Sequence, residues 1–428
     1  MSVAVDILSL HLRADLLTWC IAGAATAGVI LRPFRWPEAV WAMAGAALLL
    51  LLRLLTPGLA WAGVMRGLDV YLFLAGMMLL SELARREGLF DWLAALATAA
   101  AKGSATRLFA LVYAVGILVT AFLSNDATAV VLTPAVYAAA RAARVADPLP
   151  YLLACAFVAN AASFVLPISN PANLVVYGGG HMPPLAEWLG TFALPSAAAI
   201  ATTYAALRLA CRRALAAETI AAHVERPALS LPGRIAGIAI LLTTLILVGS
   251  SWAGLDLGLP TLAAGGAAAL VVTLLNREAP TALLKGVSWG VLPLVAGLFV
   301  LVEALDRTGV VALLAEELRR VVRTTGPGEA SAILGSLVAL ATNLGNNLPV
   351  GLLAASAVQE AGTPPRIAAA ILVGVDLGPN LSVTGSLATI LWLAALRREG
   401  LRVTAWQFLK IGLVVMPPAL VLALAVLR

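Results

Sequence analysis

The chain is short of charge and of the residues from which catalytic and metal centres are usually built. Only 12% of its 428 residues are Asp, Glu, Lys or Arg, and it carries three histidines and three cysteines. His11, His181 and His223 fall in the N-terminal stretch or in inter-segment loops, so a histidine-based metal centre is not expected. Cys20, Cys155 and Cys211 lie far apart with no CxxC spacing and no histidine nearby. Small buried core residues are expected there, rather than a redox pair or a soft-metal site. Soluble domains are missing as well, since the longest polar stretch is the roughly 20 residues from Arg212 to Arg234. Met1 to Asp15 has no basic region followed by an apolar core, which argues against a cleavable signal.

What is present is apolar. Hydrophobic residues make up 61% of the chain and the mean hydropathy is +0.97, values of a polytopic membrane protein. A net charge of +6 raises the question of nucleic acid, but the basic residues stand singly or in pairs at the ends of apolar segments. That is a topology signal, and no nucleic-acid partner is expected.

With ~20 apolar residues per crossing as the yardstick, the first half gives spans near 16–32, 38–55 and 68–84. An amphipathic stretch at 88–102 follows. Next come two apolar arms, Arg107 to Leu123 and a second run to Ala140, separated by Ser124-Asn125-Asp126-Ala127-Thr128. Neither arm is generous for a crossing, so a re-entrant hairpin is expected. A segment from Tyr151 to about Tyr177 is broken at Leu166–Asn173, and a span at 188–208 closes the half.

The second half repeats the plan. A shift of 221 positions lays Glu82 on Glu303, Gly88 on Gly309 and the tip Leu123–Asp126 on Leu344–Asn347; after a five-residue deletion a shift of 216 lays Asn160–Asn173 on Asp376–Thr389. Five crossings per half is an odd number, so the two copies enter the membrane in opposite directions. The basic residues support this: with the N-terminus outside, 19 of the 28 fall on the inner side. The expected fold is an all-α polytopic membrane protein, an inverted repeat of about ten transmembrane helices with two re-entrant hairpins and two broken helices. Residues 1–211 and 234–428 form the repeats and 212–233 the cytoplasmic connection. A scaffold is expected from 16–84, 188–208, 234–305 and 406–427, and a transport part from 105–178 and 330–396.

The most unusual stretch is 373–393, VGVDLGPNLSVTGSLATILWL, an apolar segment opened by Asp376, Gly378, Pro379, Asn380, Ser382, Thr384, Gly385 and Ser386. Gly and Pro free backbone groups from the helical ladder, and an acid at membrane depth marks a site by default. The other interruptions are equally polar. Expected to meet a solute are Asn125 and Thr128 in the first tip, Ser169, Asn170 and Asn173 in the first break, Asn346 and Asn347 in the second tip, and Asn380, Thr384, Ser386 and Thr389 in the second break. Their amides and hydroxyls both donate and accept, which suits a polar solute; equally, they can cap broken helices and bind the bundle together. Asp126 and Asp376 are the two acids of these interruptions and the candidates for proton coupling. Glu82 and Glu303 fall near span ends, where pairing with Arg85, Arg86 or Arg307 is expected. No Arg or Lys lies in the four clusters, which counts against a dicarboxylate or phosphate substrate unless Na⁺ accompanies it. No cofactor is expected, and no nucleophile–base pair at depth suggests an enzyme.

Asp376-Leu377-Gly378-Pro379-Asn380, followed by Thr384-Gly385-Ser386-Leu387-Ala388-Thr389 and Trp392, resembles the signature of the arsenite/antimonite efflux permeases of the ion transporter superfamily. Asn125-Asp126 with Leu132-Thr133-Pro134, and Asn346-Asn347-Leu348-Pro349, are similar to that family's two hairpins. The resemblance covers essentially the whole chain. It implies an elevator-like movement of a transport domain in the bacterial cytoplasmic membrane. It also implies export of trivalent arsenic or antimony by proton antiport, sometimes with a soluble ATPase on the cytoplasmic side. Asn380 departs from the pattern, in which a Lys follows the Gly-Pro, and 169–173 matches the first broken helix only loosely. A proton- or sodium-coupled transporter of another small ion or organic anion is the alternative.

Overall fold

The computed structural model describes residues 2–177, 182–221 and 228–427; His181, His223 and Arg226, discussed above, lie outside the described residues. All regular structure among the described residues is helical. The first half runs α1 (Ser2–Leu31), α2 (Glu38–Leu51), α3 (Pro57–Arg66), α4 (Leu68–Arg86) and α5 (Leu89–Ala101). It continues through α6 (Ala105–Phe122), α7 (Asn125–Ala127), a π-helical turn at Thr128–Leu132, and α8 (Thr133–Ala142). After these come α9 (Leu149–Ala161), α10 (Pro171–Tyr177) and α11 (Leu185–Ala210). The short α12 (Arg212–Ala217) opens the connection to the second half.

The second half retraces this order. It comprises α13 (Leu231–Trp252), α14 (Gly258–Asn276), α15 (Pro280–Gly286), α16 (Val291–Arg307) and α17 (Val310–Thr325), then the hairpin α18 (Pro327–Gly345) and α19 (Asn347–Ala361). The broken pair α20 (Pro365–Leu377) and α21 (Leu387–Arg398) and the closing α22 (Ala405–Ala425) complete it. Equivalent pairs are bent alike, α3–α4 by 49° and α15–α16 by 48°.

Six helices are long and apolar enough to cross a membrane alone, and the two bent pairs cross as units. α6 is one of the six, and α2 and α9 are shorter apolar helices. With the element order repeated between the halves, this is the expected all-α polytopic fold. Large apolar side chains such as Leu241, Leu245, Leu274 and Val421 face outward, as lipid contact requires. One expectation is corrected: Cys20 is exposed rather than in the core, unlike Cys155 and Cys211. His11 lies on α1, ahead of its apolar stretch Arg13–Leu31.

The halves interlock through exchanged helices: α4 packs on α14, and α16 packs on α2. Both contacts need a glycine at the same repeat position. A Cβ at Gly76 would stand 2.4 Å from the Thr261 backbone, and one at Gly297 would stand 2.8 Å from that of Ala42. Without a hydrophobic driving force between helices in lipid, such backbone approach supplies the packing energy. The acids on these helices are tied down as expected. Arg85 donates to Glu82 from both Nε (2.7 Å) and Nη2 (2.6 Å), while Glu303 pairs with Arg307 (3.1 Å) and with Arg66.

The amphipathic α5 braces both arms of the first hairpin, α6 and α8, as α17 braces α18 and α19. The helices at 188–208 and 406–427 correspond to α11 and α22. α11 and α22 lie on each other and on the broken helices. Trp188 and Phe192 of α11 close over Phe164 of the first break. Phe408 of α22 stacks on Phe157 (5.0 Å) and reaches Trp392 (5.8 Å). Gly412 lets α22 ride directly over the second break, since a Cβ there would stand 2.5 Å from Asn380 O.

Gly297→Leu is expected to lower the thermal midpoint of the detergent-solubilised protein by several degrees, in line with an overpacking cost of about 1–3 kcal/mol. Gly266→Ala, whose added methyl meets nothing within 4 Å, is expected to leave it unchanged. Size-exclusion chromatography after a heating series reads both.

Candidate functional site

Four helices begin in the middle of the protein, and each begins with a polar cap. Ser124 Oγ accepts from Ala127 N–H (3.1 Å) at α7, and Asn170 Oδ1 accepts from Ala172 N–H (3.0 Å) at α10. Asn346 Oδ1 accepts from Leu348 N–H (3.4 Å) at α19, and Ser386 Oγ accepts from Thr389 N–H (3.1 Å) at α21. The capping residues adopt non-helical backbone, and Asn346 does so at a positive φ of 65°. Such ends leave N–H groups without intrahelical partners and carry the positive pole of the helix dipole.

The first residues of all four helices line one small cavity of about 10 Å³, the space of a single water. Asn125 and Asp126 come from α7, Asn170 and Pro171 from the start of α10, Asn347 and Leu348 from α19, and Leu387 and Ala388 from α21. Leu74 of α4 and Val291 of α16 close it from the scaffold side. Asp126 also lines a wide vestibule of about 750 Å³ that extends to Glu82, Arg85, Asp91, Arg398 and Glu399. The cavity thus lies at the inner end of an open passage between α4 and the first hairpin. The π-helical turn sits directly after this tip and turns Val130 and Val131 toward the vestibule; the continuous α19 has no equivalent among the described residues.

Behind the cavity the two breaks cross. Asn170 Nδ2 donates to Asp376 Oδ1 (2.8 Å), and Ser386 Oγ donates to Asn160 Oδ1 (3.4 Å). Shifted by 216, Asn160 is Asp376 and Asn170 is Ser386, so these are the same hydrogen bond made once in each direction. Asn160 Nδ2 also donates to Asn380 Oδ1 (3.0 Å), while Asn380 Nδ2 donates to Phe157 O (3.1 Å). Ser386 and Thr389 share a hydroxyl contact of 2.9 Å.

The expected solute residues therefore fall into two groups. Asn125, Asn170 and Asn347 face the cavity with Asp126, and Asn347 Oδ1 is buried without a partner. The rest make their hydrogen bonds inside the protein, although Asn173 Oδ1 is also buried without a partner. Thr128 meets the Thr120 hydroxyl (2.8 Å), and Ser169 Oγ donates to Ala121 O (3.1 Å). Asn173 Nδ2 reaches three carbonyls of the first break, those of Ser163 (2.9 Å), Pro167 (3.2 Å) and Leu166 (3.3 Å). Asn346 donates to Thr384 O (3.3 Å), and Thr384 Oγ1 donates to Asn343 O (2.9 Å), fastening the second tip to the second break. Asn380, Ser386 and Thr389 belong to the crossing. Asp376 is fully buried there, with Oδ2 unpartnered. Asn160 was not singled out from the sequence as a site residue, although its repeat pairing with Asp376 was the available signal. Leu74 and Val291 carry no polar signal at all.

This geometry, polar helix ends meeting at mid-depth beneath a vestibule, is that of a solute carrier, and the sequence comparisons agree. The family model described as CitMHS, citrate transporter, matches residues 26–377. The chain belongs to that family. It is similar to the arsenical pump membrane protein of Escherichia coli, 26% identical over 399 residues that cover 90% of this chain and 91% of the relative. The arsenical pump membrane protein of Yersinia enterocolitica is 26% identical over 361 residues, covering 82% and 84%. An uncharacterized transporter of Mycobacterium tuberculosis is 27% identical over 416 residues, covering 92% and 94%. Among solved structures, the YdaH transporter of Alcanivorax borkumensis shares the fold, with a TM-score of 0.59 and 17% identity over 86% of each chain. The protein is a multi-pass membrane transporter.

Asn173→Ala is expected to remove the donor that gathers three carbonyls and so to cost about 1–3 kcal/mol of stability, seen as a lower thermal midpoint. Asn347→Ala, which breaks no hydrogen bond made by that side chain in the protein, is expected to keep the midpoint and to weaken solute transport instead.

Proposed function

We propose that the protein exports arsenite and antimonite as neutral trihydroxy species in exchange for protons. The observation that carries this is the composition of the passage. The vestibule and cavity present four acids (Glu82, Asp91, Asp126 and Glu399) against two bases, Arg85 and Arg398, and no base lines the cavity itself. A net acidic channel repels citrate-like polyanions and admits neutral molecules. The printed names of the arsenical pump relatives point to the same solute class.

Neutral arsenous acid is both a donor and an acceptor. Its hydroxyl protons suit the Asp126 carboxylate, and its oxygens suit the amides of Asn125, Asn170 and Asn347 and the helix ends behind them. A protonated Asp126 has lost most of its acceptor capacity. Solute and proton therefore compete for one group, which is what antiport requires: the proton displaces the solute on the acidic side, and its loss on the other side readmits it.

In the elevator-like reading the hairpins and broken helices move together, carrying α11 and α22, along a scaffold wall that includes Leu74 and Val291. Asp126 opens toward the face of Arg85, Arg398 and Glu399. Under the proposed orientation, with both termini outside the cytoplasmic membrane, that face is cytoplasmic and the state is the one that loads solute. Secondary coupling of this kind needs no ATPase. The second reading, an organic anion, is favoured by the family model and by the four helix N-termini at the cavity.

A strain lacking its own exporters is expected to gain arsenite tolerance on making this protein, and everted vesicles are expected to accumulate arsenite but not citrate when the lumen is acid. Accumulation of citrate with unchanged arsenite sensitivity would select the second reading. Asp126→Asn is expected to insert normally and to abolish the proton-driven component.

A further inference from the structure

The two carboxylates were paired in expectation as proton carriers, yet they sit in different environments. Asp126 is partly exposed and lines the vestibule. Asp376 lines neither the cavity nor the vestibule. It is sealed at the crossing of the breaks, behind Asn170.

The repeat supplies a comparison within the molecule. At the position equivalent to Asp376 stands Asn160, and it accepts the equivalent hydrogen bond, from Ser386 (3.4 Å). An amide oxygen thus performs the geometric task in one half that a carboxylate oxygen performs in the other. The bond at Asp376 is the shorter, at 2.8 Å, and its donor Asn170 lines the cavity, whereas the equivalent donor Ser386 does not. Asn170 is held from two sides: its amide donates to Asp376, and its oxygen takes Ala172 N–H at the start of α10 (3.0 Å).

We infer that Asp376 is a positioning residue that fixes Asn170 toward the solute, and that Asp126 alone exchanges protons with the vestibule during transport. The assignment deepens the proton-coupled reading above and rests on it. No charged side chain pairs with either carboxylate among the described ion pairs. The charged groups that share the vestibule with Asp126 are Glu82, Arg85, Asp91, Arg398 and Glu399. Around Asp376 the polar neighbours are Asn170 and the Ser163 hydroxyl, both neutral. On this assignment Asp376 keeps one protonation state through the transport cycle while Asp126 changes its own.

The test separates the roles by readout. In proteoliposomes of the full-length protein, Asp376→Ala is expected to raise the KM for arsenite about tenfold, the loss of one strong hydrogen bond's worth of orientation. Asp376→Asn, which restores the acceptor found at Asn160, is expected to recover most of that loss. Both are expected to keep the wild-type pH profile. Asp126→Asn is expected to flatten the profile while arsenite–arsenite exchange persists. Infrared difference spectra of the purified protein across a pH step need no transported solute, so they report on the carboxylates even if the arsenite reading fails. One component of the carboxyl band that changes with pH is expected to be lost in Asp126→Asn and every component to persist in Asp376→Asn. Loss of a component in Asp376→Asn, or a flattened pH profile in either folded Asp376 variant, would overturn the assignment.

Discussion

A polypeptide within a bilayer has no water to satisfy its backbone, and the fold follows from how this chain stops four helices at mid-depth without leaving bare ends. Each stop is closed twice. A side-chain oxygen caps the new helix, and a second polar group ties the loose turn to a neighbour: Ser169 to Ala121 in the first half, Asn346 and Asn343 to the second break in the other. Such fastening is expensive in sequence, since it commits most of the Asn, Ser and Thr of the four interruptions. Of the three amides that line the cavity, Asn170 is itself a cap, while the Asn347 oxygen has no partner.

That division explains which parts of the structure could be read from the sequence. The repeat was legible because close helix approach and buried acids leave fixed marks, Gly76 with Gly297 and Glu82 with Glu303 each 221 apart. The breaks were legible because Gly, Pro and Asn in an apolar run violate the helical pattern. The assignment of individual residues to solute or to structure was not. Asn173 and Asn170 are two turns of the same motif and chemically identical, yet one gathers carbonyls and the other meets the cavity, a difference set by the direction of the chain through the break.

The same limit applies to the grouping of helices. A helix that faces lipid and one that packs on another helix are both apolar, so α11 and α22 carried no mark of their allegiance. Their contacts are aromatic. Trp188, Phe192, Phe408 and the bare backbone face at Gly412 lie over the two breaks, so the breaks are stiffened from behind by these helices. A site made of short helix ends needs that support, because a displacement of the crossing would move every cap at once.

The symmetry then acquires a chemical meaning. Two halves related by inversion would give a site with equal partners on both sides, and such a site has no intrinsic reason to treat proton and solute differently. The chain breaks the equality at two places only a few side chains apart. Asp126 stands opposite Asn347 at the tips, and Asp376 stands opposite Asn160 at the crossing. The first substitution puts a carboxylate where water reaches it, while the second puts one where only Asn170 and a hydroxyl do. In the proton-coupled reading proposed above, the inequality matters because proton and neutral solute compete for Asp126 and not for its repeat partner Asn347. Mutually exclusive occupancy of that one group is what would couple the two flows, since the gradient of one then biases which occupant is carried in each direction.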